Sequence, residues 1–134
     1  MKLTNNFSLH EFKCRDGTSV PASCMSNVQE LAENLQVLRD HINKPIIVIS
    51  GYRSPDYNTK IDGAKRSQHL KAKAADIIVS DMSPGEVKTT ILQLIKDGKM
   101  KQGGIGQYTT FVHYDIRGFE RRWYGSGVKK EDRV

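Results

Sequence analysis

An aspartate at the head of a buried strand sets the tightest limit on how this chain can fold. Ile77-Ile78-Val79 is a continuous apolar, β-branched run, which reads as a strand covered on both faces. Asp76 stands directly before it. An ionised carboxylate taken out of water is costly unless a metal or an arginine sits beside it. That partner must come from elsewhere in the chain. His69 lies seven residues earlier, and His113 far downstream in Phe111-Val112-His113-Tyr114-Asp115. Singly, such residues are more often structural or solvated; in combination they read as two halves of one zinc site. Catalytic zinc commonly takes three protein ligands and leaves its fourth position to water, whose pKa the metal lowers.

The rest of the chain fits a single domain with a real core. Its 134 residues are 37% hydrophobic, and no stretch approaches the roughly 20 apolar residues a membrane span needs. Met1-Lys2-Leu3-Thr4-Asn5-Asn6-Phe7 lacks the apolar segment of a secretory signal. The expectation is synthesis in the cytoplasm, with any work on a cell wall following release or export by another route. A net charge of +6 favours anionic partners, although a solvated basic surface explains it equally well. Cys14 and Cys24 have no CxxC companion, so they are expected to be reduced thiols outside any metal site.

Taken in order, Ser8-Leu9-His10-Glu11 fits a capping box before a short helical turn that buries Phe7, Leu9 and Phe12. His10 is expected on the surface. Ser26 to Gln29 reads as a second box. Val28, Leu31, Leu35, Leu38 and Ile42 then recur at helical spacing, predicting an amphipathic helix over roughly 27–42. His41 near its end suits the helix dipole. Ile46-Ile47-Val48-Ile49 reads as another strand buried on both faces, delivering Ser50-Gly51-Tyr52-Arg53 at its end. Arg53 there is placed to grip a carboxylate or polarise a carbonyl, unless it is a surface arginine with no task. Residues 56–66 read as polar loop with a turn at Asp62-Gly63, continuing to His69. Ser83-Pro84-Gly85-Glu86 opens a packing helix closed by Gly98. In 109–117, period-two alternation sets His113 and Asp115 on one face and Val112, Tyr114 and Ile116 on the other. Trp123 reads as a cap on the core's edge, and 124–134 as a charged tail expected to fray.

Together, Ser50-Gly51-Tyr52-Arg53-Ser54, then Ser67-x-His69 with Asp76, then Gly104-x-Gly106-x-Tyr108 leading into Phe111-Val112-His113-x-Asp115, resemble the zinc D-Ala-D-Ala peptidases. That family includes bacterial and phage murein peptidases and shares its fold with the hedgehog signalling domain. The resemblance spans roughly 5–123. It implies an α+β domain with a small antiparallel sheet flanked by helices. It also implies zinc on His69, Asp76 and His113, Arg53 near the scissile bond, and a substrate among peptidoglycan stem or cross-bridge peptides containing D-amino acids. Many members carry an acidic base three residues before the second zinc histidine, where this chain has Thr110. Threonine cannot accept the proton. Asp115 either replaces it as catalytic base, the role preferred at this point, or orients His113. Ser67 either binds substrate or ties down the loop bearing His69.

The leading expectation is therefore a zinc-dependent murein peptidase, monomeric by default, whose small chain without a signal leans toward phage or prophage origin without separating a phage lysis enzyme from a host wall-remodelling one. A zinc-containing module that binds wall peptides without cleaving them is the alternative. A nucleic-acid binder is suggested only by charge, and no nucleic-acid motif supports it. Neither the bond cut nor the choice between carboxypeptidase and endopeptidase is written in these residues.

Overall fold

The computed structural model describes residues 1–134. Five short strands form one sheet: β1 (Ile46–Ser50), β2 (Ala74–Val79), β3 (Gly104–Gln107), β4 (Val112–Asp115) and β5 (Arg121–Tyr124). Their spatial order is β1-β2-β4-β3-β5. The first three pairings are antiparallel. The last is not: the short link 116–120 reverses the chain after β4, so β5 runs parallel to β3. The fold is α+β, with this one departure from an all-antiparallel sheet.

Helix α1 (Met25–Ile42) and helix α3 (Pro84–Lys96) cover one face. Val28, Leu31, Leu35 and Leu38 of α1 and Val87, Ile91 and Leu94 of α3 share one core with Ala75, Ile77, Val79, Val112, Tyr114 and Ile116. Alternation along β2 and β4 then turns Asp76, His113 and Asp115 to the opposite face. A short helix α2 (Pro55–Lys60) and the 3-10 turn Gln68–Lys71 lie between β1 and β2.

Several local expectations change. The capping box at Ser83 forms, with Glu86 N–H donating to Ser83 Oγ (3.2 Å) and Ser83 N–H to Glu86 Oε1 (2.9 Å). The one at Ser26 does not, because α1 already begins at Met25 without a side-chain cap. β1 is an edge strand with Ile47 53% exposed, not a doubly covered one. An apolar run does not reveal whether a neighbour exists on each side. Nor is the tail frayed. Gln107 Nε2 donates to the Asp132 carbonyl (2.6 Å), while buried Lys88 and Tyr124 OH both donate to the Val134 carbonyl (2.6 and 2.7 Å). Charge in 129–133 suggests solvation, but backbone carbonyls of the tail are what buried Gln107 and Lys88 and the more exposed Tyr124 bind.

Candidate metal centre and its cleft

Strand register assembles the site. Ser50 pairs with Asp76, Asp76 with His113, His113 with Gly106, and Gly106 with Trp123. These five residues form a row across the whole sheet. Antiparallel neighbours lie about 5 Å apart, so the row sets Asp76 beside His113 without any contribution from loops. His69 comes in from the 3-10 turn, where its N–H donates to Ser67 Oγ (3.2 Å).

Each histidine has one nitrogen engaged by the protein and the other turned toward Asp76. His69 Nδ1 lies 2.6 Å from the Gly51 carbonyl, which can only accept, so Nδ1 carries the proton. That leaves Nε2 as a lone pair, buried, without a hydrogen bond, and 3.3 Å from Asp76 Oδ1. His113 Nε2 faces Asp115 Oδ2 at 2.7 Å, leaving Nδ1 at 3.1 Å from the same Asp76 oxygen. One ligand atom from each of His69, Asp76 and His113 falls within 4.8 Å of the others. Tetrahedral zinc with bonds of 2.0–2.2 Å sets its ligands about 3.3–3.6 Å apart. The separations from Asp76 Oδ1 are close to that, and an orphaned buried imidazole nitrogen is what a missing cation would leave. The donor set fits zinc.

At Asp76 and His69 the electrostatics agree. Burial pushes the Asp76 carboxyl up, but hydrogen bonds with His113 and His69 outweigh it and hold the group well below the usual carboxylate range. Burial dominates at His69 and lowers it, favouring the neutral imidazole a metal needs. At His113 burial also works downward, yet Asp115 and Asp76 together raise it. Arg53 Nη2 sits 3.6 Å from Asp76 Oδ2, and Nη1 donates to Asn58 Oδ1 (3.4 Å). Its Nε is buried and unpartnered.

Asp115 is fully buried behind His113. Arg117 holds its two oxygens through Nε (2.9 Å) and Nη2 (2.7 Å), and Gly104 N–H donates to Oδ1 (2.8 Å). Burial raises this carboxyl, but Arg117 and His113 bring it well below its ordinary value. It does not line the cleft of about 640 Å³ that opens beside the triad. The geometry fits the orienting role weighed for Asp115, and a proton acceptor for substrate would have to face that cleft. Arg53 and Ser67 do line it, along with the three ligands.

Other participants were not evident in the sequence. Trp123 is no edge cap: it lines the cleft, its ring lies 4.9 Å from that of His113, and its Nε1 donates to Tyr108 OH (3.0 Å). Tyr108 in turn stacks on Phe111 at 4.4 Å. Asn58 is buried, and its Nδ2 donates to the Ala64 carbonyl (3.0 Å) while its own carbonyl accepts from Gly63 N–H (2.8 Å). A Cβ on Gly63 would collide with the Asn58 amide. Gly51 is also tight, since a Cβ there would lie 2.8 Å from Phe12 Cα; Tyr52 N–H also donates to the Phe12 carbonyl (2.8 Å). Ser54-Pro55-Asp56 was the available signal for α2: Ser54 caps it and Pro55 opens it.

The family model described as peptidase M15 matches residues 5–115, a stretch that includes all three metal-ligand candidates. The chain belongs to the peptidase M15 family. It is 34% identical over 87 residues to the peptidoglycan L,D-endopeptidase MepK of Escherichia coli (strain K12), covering 60% of this chain and 44% of that protein. It is also 34% identical over 99 residues to the probable peptidoglycan L,D-endopeptidase MepK of Haemophilus influenzae, covering 69% of this chain and 50% of the relative. This M15 chain thus spans about half the length of the curated relatives it matches. No helix of the M15 domain is long and apolar enough to cross a membrane.

Proposed function

We propose that this chain is a zinc-dependent peptidase that hydrolyses peptide bonds in peptidoglycan peptides containing D-amino acids. The observation that carries the reading is the orphaned His69 Nε2, turned with His113 Nδ1 toward one oxygen of Asp76. Membership of the peptidase M15 family and the names of the relatives support it, and those names favour an endopeptidase.

Zinc, when bound by His69, Asp76 and His113, supplies a Lewis acid and an acidified water at neutral pH. The chain's own groups do the rest. The Gly51 carbonyl and the Asp115 carboxylate each hold one imidazole proton, presenting the opposite nitrogens as lone pairs. Arg53 offers a guanidinium beside Asp76, suited to a substrate carbonyl oxygen as negative charge grows on it. Trp123, Tyr108 and Phe111 form an aromatic wall that limits water on one side. Ser67 fixes the turn that carries His69.

The purified protein is expected to hold about one zinc per chain. Mass spectrometry of muropeptides should show new products after incubation with peptidoglycan, and none with His69→Ala or His113→Ala. Undiminished cleavage by rigorously demetallated protein would sink the proposal. Peptide binding without any product would favour a non-catalytic wall-binding module instead.

A further inference from the structure

The cleft beside the triad carries more positive charge than its own acids can answer. Arg53, Arg66, Arg117 and Arg121 line it, against a single carboxylate, Asp76. Arg117 is committed to Asp115 by two hydrogen bonds. Arg53 is shared between Asp76 and Asn58. Arg66 and Arg121 are exposed, and their guanidinium groups take part in none of the molecule's ion pairs or hydrogen bonds.

An unpaired surface arginine is ordinary. What distinguishes these two is where the fold puts them. Arg66 sits on the loop that Asn58 ties through Ala64, directly before the Ser67 that caps the turn of His69. Arg121 opens β5 opposite Gly104, and lies two residues before Trp123 on the same strand face. One cation is therefore on the His69 side of the cleft and the other on the His113 side. A peptide lying across the triad meets both.

We propose that Arg66 and Arg121 bind carboxylates of the substrate peptide, so that the cleft selects peptides with free acidic groups over amidated ones. A guanidinium can take a carboxylate through two parallel charge-assisted hydrogen bonds, whereas a carboxamide offers one acceptor and no charge. Bringing a carboxylate into the cleft also offsets the excess positive charge already there. This inference rests on the peptidase reading, but it concerns which peptide is chosen.

The test uses two synthetic stem peptides that differ only in carrying carboxylates or carboxamides on their acidic residues. With zinc-loaded protein, KM for the acid form is expected to be lower by about tenfold, with kcat little changed. Arg66→Gln and Arg121→Gln should each remove part of this preference and the double variant nearly all of it, with zinc content unaltered. Added salt should erode the preference in the unmodified protein. Equal KM for the two peptides, or a preference that survives in the double variant, overturns the proposal. Should neither peptide be cleaved, the peptidase reading is what fails. Calorimetric binding of the same two peptides then still decides whether the arginines discriminate between them.

Discussion

At the scale of single residues, the candidate metal centre is governed by where two protons sit. Gly51 fixes the proton of His69 and Asp115 that of His113. Partners of this kind typically account for 10- to 100-fold in metal affinity. Asp115→Asn preserves size but puts an amide against the imidazole. The variant is expected to bind zinc about 10- to 100-fold more weakly in a chelator competition, while kcat at saturating zinc stays within a few-fold. Loss of kcat at full zinc occupancy would instead return Asp115 to the role of proton acceptor. That Asp76 and His113 come together with His69 could be anticipated from the sequence, because a costly buried acid demands partners and period-two spacing aims His113 at the same face. The burial of Asp115 away from the cleft could not, because it depends on Arg117 and Gly104 N–H taking up its oxygens in the folded chain.

Among the elements, α2 and the loop after it hold Arg53 and the rim of the cleft in one arrangement. Asn58 joins them: one amide atom accepts from Arg53, and the other donates to Ala64. Asn58→Leu and Gly63→Ala attack the same junction from opposite sides. Each is expected to lower kcat/KM by roughly tenfold, about 1.4 kcal/mol, without changing zinc content. Unaltered kinetics in both would show that Arg53 needs no such support. In the sequence, the overall polarity of 56–66 masks the capping Ser54 and opening Pro55 of α2. The apolar run of β1 misleads in a related way: the sheet order, and not apolarity, decides how many neighbours a strand receives.

For the molecule as a whole, the site is also part of the stability balance. Asp76 and Asp115 have folded pKa values below the unfolded carboxylate value of about 3.9. Between those values the unfolded chain binds more protons, so their stabilisation is complete above the unfolded value and is lost as pH falls. His69 and His113 shift in opposite directions and oppose each other through the neutral range. The zinc-free protein is therefore expected to lose Tm steadily below about pH 4, and Asp115→Asn to show a shallower decline. A Tm that stays level through this acid range would contradict the buried network.

The close approach of Gly51 to the Phe12 backbone extends the reach of the centre. No side chain from the first dozen residues lines the cleft, yet the Phe12 backbone is the anvil against which Gly51 is set. Because Phe7 and Phe12 of that segment are also core residues, a substitution that shifts the Phe12 backbone would move the Gly51 carbonyl and loosen its hold on the His69 proton. Loss of affinity would then arise from a piece of protein that never touches the ion.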